Sequence, residues 1–276
     1  TLQKAAQGER LDMDEAAALY AEADFFALGH AAHAVRLRKH PEPVVTYVVD
    51  RNINYSNICV CGCRFCAFFR APDQEGGYVL TFEEVSRKIQ ETLELGGTQI
   101  LMQGGHHPTL PLSFYEDMLR FIKERHPIHI HAFSPPEIVH FARLEGVDVG
   151  EVIARLKAAG LDSIPGGGAE ILVDSVRKAV SPNKCSASQW LEVMEEAHRQ
   201  GMRTTATMMF GHEEEPRQRL EHLLVLRELQ DRTGGFTAFI PWAFQPANTA
   251  IRRPPETAVA YLRLCLLYTS PSPRDS

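Results

Sequence analysis

From Val44 onward the chain alternates between two hydrophobic rhythms. Short apolar or alternating runs, VVTYVVD (44–50), TQILMQG (98–104), IHIHAF (128–133), LDSIP (161–165), RTTATMMF (203–210) and FTAFIP (236–241), predict strands. The segments between them have helical spacing. Val85, Ile89 and Leu93 share one face, and Trp190, Val193, Met194 and Ala197 share another. Thr81 with Glu84, Ser113 with Glu116, and Ser186 with Gln189 are each spaced as capping boxes that start a helix. Strands alternating with helices predict an α/β fold: a TIM-like (β/α) barrel, partial, with about six βα units. Functional groups are then expected at the C-terminal strand ends.

The flanks read differently. Residues 12 to 40 are rich in Ala and Leu, with no Pro and no Gly before Gly29, and predict two helices. We therefore expect a helical extension over 1–41 and the barrel domain over 42–264. Residues 265–276 read as an anomalous tail, disordered or non-native, because LLYTSPSPRDS has no apolar period after Tyr268. With no Met at its start, the chain reads as a fragment at both ends.

A chain of 276 residues, 44% hydrophobic and 23% charged, can bury one large core. Its net charge of -6, with no Lys/Arg stripe, argues against nucleic acid as a partner. No apolar run approaches the roughly 20 residues that cross a bilayer, and no secretory signal opens the chain, so a cytoplasmic protein is expected. Four of the six cysteines fall between Cys59 and Cys66, a layout for a metal site in a reducing compartment and not for disulfides.

Cys59, Cys63 and Cys66, in NINYSNICVCGCRFCAFFR, follow the first predicted strand. Thiolates are soft ligands, and a short loop can wrap three of them around one face of a [4Fe-4S] cluster, leaving the fourth iron open. An open iron can chelate S-adenosylmethionine (SAM), whose one-electron cleavage gives a carbon radical. Zinc is the competing reading, in a non-catalytic zinc-stabilised binding module, but its usual layout of two ligand pairs lacks a second CxxC here. Cys61 is off the spacing and reads as a small side chain beside the cluster. Cys185 and Cys265 read as small buried hydrophobes.

Other candidates lie at the later strand ends. Gly104 and Gly105 lack side chains where backbone can approach a ligand. His129 and His131 alternate onto one face, with Ser134 and Glu137 following. Glu170, after Gly166, Gly167 and Gly168, is placed to bond a ribose diol. Arg177 offers a cation for a SAM or substrate carboxylate, against the alternative of a solvated helix residue. Thr207, His212 and Gln245 complete the substrate-facing set, while Trp242 and Phe244 either line an aromatic pocket or cap the barrel.

The spacing of Cys59, Cys63 and Cys66, with Phe65 between the last two, resembles the motif of the radical SAM superfamily. The segments NINYSNIC, GGTQILMQGGHHP, HIHAFSPPEI, AGLDSIPGGGAEILVD, GMRTTATMMFGH and GGFTAFIPWAFQP further resemble the cyclic dehypoxanthine futalosine synthase family of menaquinone biosynthesis. That resemblance implies a partial or full TIM-like barrel, a [4Fe-4S] cluster and SAM as cofactors, and a one-electron donor. It places backbone near Phe65 beside the adenine of SAM and Gly104–Gly105 at its amino group. The implied reaction on dehypoxanthine futalosine is hydrogen abstraction at the ribose C4' followed by radical cyclisation. His131 and Glu137 are the candidate bases for the final proton. The related aminofutalosine synthase and deazaflavin-forming enzymes share the cluster and barrel and are the alternatives.

Overall fold

The computed structural model describes residues 1–269. Three helices lead in, α1 (Leu2–Ala6), α2 (Met13–Glu22) and α3 (Phe25–Lys39). Six strands follow: β1 (Asp50–Asn54), β2 (Gln99–Gln103), β3 (His129–Ala132), β4 (Ser163–Ile164), β5 (Arg203–Phe210) and β6 (Phe236–Ala243). All pair in parallel and in sequence order, which makes an open half-barrel with β1 and β6 at its edges. The crossovers are α4 (Phe82–Glu94), α5 (Leu112–Arg125), the pair α6 (Pro135–Glu145) and α7 (Val149–Ala159), the pair α8 (Asp174–Val180) and α9 (Ala187–Arg199), and α10 (Pro216–Thr233). Helix α11 (Ala258–Thr269) comes after β6. Five of the six expected strand regions hold a strand, and the first strand begins only at the end of its expected region.

Alternation decides which side chains reach the site. Ile53, Ile100, Met102, Ile130, Ala132, Ala206, Met208 and Phe210 point to the helices and are buried in the main core. Their neighbours Asn52, Asn54 and Gln103 line a cavity on the concave face. His129 Nε2 and His131 Nδ1 both reach Ser163 Oγ at 2.7 Å, so the two histidines do share a face.

Three expectations need correction. The first strand occupies DRNIN instead of VVTYVVD: Val44, Val45, Tyr47, Val48 and Val49 lie outside it and are exposed. An edge strand over a polar cavity needs only one buried face, and Ile53 supplies it. Ser113 and Glu116 form no capping box, because α5 starts at Leu112 with Pro111 as its N-cap. The Leu112 N–H donates instead to Glu145 Oε1 at 2.8 Å, and Glu116 accepts from Arg155 Nε at 2.6 Å. Finally, α11 crosses the expected boundary at 264/265, since Leu264 and Leu267 are both buried. Residues 270–276 of the expected tail lie outside the described residues.

The other two boxes form, at Thr81 and Ser186. The leading helices pack on the barrel through a small cluster of Ala5, Leu11, Leu19, Leu220 and Leu267. No helix among the described residues is long and apolar enough to cross a membrane.

Candidate active site

The cysteine loop leaves β1 at Tyr55 and is held from two sides by backbone bonds. On the β2 side, the Gly105 N–H donates to Ser56 O (2.8 Å), Val60 N–H to His106 O (3.1 Å), and His106 N–H to Cys59 Sγ (3.3 Å). At the end of α8, Val180 O accepts from Arg64 N–H (2.9 Å), and in the loop after it Asn183 Nδ2 donates to Cys61 O (3.1 Å). Side chains at Gly104 and Gly105 would prevent this closure. A Cβ on Gly104 would sit 2.4 Å from the Tyr55 ring, and one on Gly105 would sit 2.1 Å from Ile58 O. The glycine pair therefore seats the cysteine loop, and its backbone also lines the cavity below.

That cavity, of about 390 Å³, is lined by Cys59, Cys63 and Cys66, by Phe65, and by Ser134, Glu137, Glu170 and Lys184 from three other loops. Its polar groups are not symmetric. Hydrogen bonds to Cys59 and Cys63, and then burial, push the Cys61 thiol up, and its Sγ lies 3.1 Å from His106 Nδ1. The hydrogen bond from Cys61 lowers Cys59 to about 6, aided by the N–H groups of Cys61 and His106. Cys63 is lowered as well, first by Cys61 and then by Lys184.

Two of the three spaced cysteines are thus biased to thiolate in a cavity of ligand size. Among the described residues, no three His, Cys, Asp or Glu side chains converge as ligands of one ion. A [4Fe-4S] cluster takes each thiolate at a different iron and so suits spaced thiols. The donor set fits the cluster.

Glu170, with a backbone φ of 41°, turns its carboxylate into the same cavity. Oε1 accepts from Lys184 Nζ at 2.7 Å, while buried Oε2 has no hydrogen-bond partner and lies 3.6 Å from Arg177 Nη1. Burial alone would raise this carboxyl, but Lys184 and Arg177 outweigh it and hold it below its ordinary value.

The remaining sequence candidates separate by position. Glu137 lines the cavity, yet both its oxygens are occupied. Tyr55 Oη (2.6 Å) and Gly104 N (3.0 Å) donate to Oε1, and Ser134 N (2.8 Å) and Oγ donate to Oε2. Burial pushes its carboxyl up against those donors. Ser134 and Glu137 are the N-cap and third residue of α6, so SPPE is a capping box as well as a cavity wall. His131 lies away from the cavity lining, between Ser163 Oγ (2.7 Å) and Thr205 Oγ1 (3.3 Å), with burial lowering it to about 4.

Arg177 is buried and does not line the cavity: it donates to the carbonyls of Gly168, Ala169 and Cys185 and ties down the glycine loop. Thr207 Oγ1 donates to Gly166 O, and His212 Nε2 contacts Met209 O at 2.9 Å; both are buried supports. Gln245 is exposed and does not line the cavity. Trp242, 39% exposed, does line the cavity, whereas Phe244 packs in a satellite cluster with Val180, Met209 and Ile251. Sequence reasoning missed Asn52, Gln103, His106 and Lys184, all in the lining. For Asn52 a weak signal existed, since Asn52 and Asn54 flank apolar Ile53 with the period of a strand; an isolated lysine such as Lys184 carries none.

A family model described as the radical SAM superfamily matches residues 53–226. The chain is 49% identical over 251 residues to the cyclic dehypoxanthine futalosine synthase of Halalkalibacterium halodurans, covering 91% of this chain and 68% of that one. It is 47% identical over 268 residues to the protein of that name from Streptomyces coelicolor, covering 95% and 67%. An FO synthase from Streptomyces coelicolor is 46% identical over 208 residues, 75% of this chain and 24% of the relative. Among solved structures, methylornithine synthase superposes with a TM-score of 0.72 at 17% identity, over 99% of this chain and 77% of that one, a likeness of fold.

Proposed function

This chain belongs to the radical SAM superfamily, and from that membership we propose that it converts dehypoxanthine futalosine to its cyclic product by hydrogen abstraction at the ribose C4' and radical cyclisation. The superfamily works with a [4Fe-4S] cluster and SAM. One observation carries the finer reading: the two relatives that bear this activity's name align with more than nine-tenths of the chain at 47–49% identity. The chain spans about two thirds of their length.

In this reading Cys59, Cys63 and Cys66 hold the cluster. When bound, cluster and SAM together supply the hydrogen-abstracting 5'-deoxyadenosyl radical. The protein's task is then placement, because a reactive carbon centre needs a near-attack geometry and a site closed to water more than a strong acid or base. Backbone at Phe65 offers SAM its amide and carbonyl, and Gly104 and Gly105 offer their carbonyls, since their N–H groups donate to Glu137 and Ser56. Glu170 lines the cavity, and its Oε2, 3.6 Å from Arg177 Nη1 and without a hydrogen bond, offers an acceptor for a ribose hydroxyl. Ser134 Oγ already donates to Glu137, so it offers the substrate its lone pairs. Glu137, with four donors on it, keeps the ends of β1 and β2 and the start of α6 in register around the cavity.

The alignment with FO synthase favours a second reading, in which the same barrel serves a deazaflavin-forming reaction. Anaerobic turnover of dehypoxanthine futalosine carrying deuterium at C4' separates the two. Deuterium appearing in 5'-deoxyadenosine, together with the cyclic product, is expected. Formation of 5'-deoxyadenosine without deuterium, or no turnover by a cluster-loaded chain, overturns the substrate assignment.

A further inference from the structure

Lys184 is the one cationic side chain lining the cavity among the described residues, and nothing in the chemistry above uses it. Its position is tightly determined. The preceding residue, Asn183, donates to Cys61 O at 3.1 Å, and Arg64 of the cysteine loop donates to Ala179 O at 2.9 Å, so the α8–α9 loop grips the cysteine loop. Lys184 Nζ lies 2.7 Å from Glu170 Oε1 and 5.1 Å from the centre of the Phe65 ring, with 14% of the side chain exposed. Phe65 is itself between Cys63 and Cys66. The ammonium is thereby held against the cysteine loop, paired with a cavity-lining carboxylate whose other oxygen lies 3.6 Å from Arg177 Nη1.

We propose that the Lys184–Glu170 ion pair sets the reduction potential of the cluster held by Cys59, Cys63 and Cys66, with Lys184 as its cationic pole and Glu170 as its anionic one. The inference rests on the cluster assignment and not on the identity of the substrate. Three thiolates bring negative charge to a largely enclosed site, and one-electron reduction adds another. Fixed charges nearby act on that step strongly, since the medium screens them little. A cation favours reduction and an anion opposes it. Arg177 stands behind the pair, 3.6 Å from Glu170 Oε2 and outside the cavity lining, and its charge is common to every variant tested below.

The test is an anaerobic redox titration of the reconstituted holo-chain, followed by the electron paramagnetic resonance of the reduced cluster, with neither SAM nor substrate present. Lys184→Met is expected to move the midpoint to a more negative potential and Glu170→Gln to a more positive one. Lys184→Arg and the double variant are expected to return close to the parent. Iron and sulfide per chain, measured on each sample, should match the parent. Single variants that leave the midpoint unchanged, or that both move it in one direction as mere loosening of the loop would, overturn the proposal. If Lys184→Met fails to hold a cluster, Glu170→Gln and Lys184→Arg decide by the same criteria. A parent chain that takes up no cluster overturns both the cysteine assignment and this inference.

Discussion

Residues that look alike in sequence do different work once their partners are known. Cys61 is buried with its thiol pushed up by Cys59 and Cys63, whereas those two are biased to thiolate. Ala at Cys59, Cys63 or Cys66 should therefore abolish the absorption band of the reconstituted cluster, and Cys61→Ser should keep it. A Cys63 variant with full cluster content would refute the ligand set. Glu170→Gln should weaken SAM binding by about 1.5–3 kcal/mol, the range for a hydrogen bond to a charged group; unchanged affinity in a binding titration would make Glu170 a support only. His222 gives a pH prediction. It accepts from Leu172 N–H at 2.9 Å, and burial lowers it to about 3. The folded chain keeps this ring neutral, while the unfolded chain protonates it below about pH 6.5. Stability is thus intact above that pH and falls as pH drops towards 3, by about 1.4 kcal/mol per pH unit for one proton. Urea midpoints at pH 7 and pH 5 should show the fall, and His222→Gln should show a shallower one.

At the scale of elements, helix starts separate signals that look identical in sequence. Thr81 accepts from Glu84 N–H at 3.2 Å while Glu84 Oε2 accepts from Thr81 N–H at 2.8 Å, so Thr81→Ala should cost about 1 kcal/mol. Ser113 caps nothing, because Pro111 holds the N-cap of α5 and Glu116 is drawn to Arg155. Ser113→Ala should leave the denaturation midpoint within error. Equal costs for the two would show that the α5 start is wrongly placed. The SPPE start of α6 carries the same spacing and does form its box. Its glutamate meets Tyr55 and Gly104, from β1 and β2 ends far away in sequence, and no local pattern encodes that meeting.

For the molecule as a whole, an open sheet has consequences at its rim. Val45 and Tyr47, 91% and 88% exposed, stand in an uncharged β-branched and aromatic stretch without regular structure that leads into the edge strand β1. Such a stretch is prone to pair with another chain. Val45→Asp with Tyr47→Asp should reduce self-association in light scattering, with little change in melting temperature because neither side chain is in the core. Persistent association of that double variant would place the sticky surface elsewhere.

The strand and helix alternation, the half-barrel and the three spaced cysteines were legible in the sequence, because hydrophobic period and ligand spacing are local properties of a chain. So was the pairing of Gly104–Gly105 with a close approach, although what approaches proved to be Tyr55 and the backbone at Ile58. Which polar residues face the cavity was decided only by the tertiary structure. Arg177, Thr207 and His212 turned to backbone carbonyls that the folded loops left unpaired, and Lys184 arrived from a loop with no signature of its own. Buried polar groups go where an unsatisfied partner is nearest in space, and that distance exists only after the chain has folded.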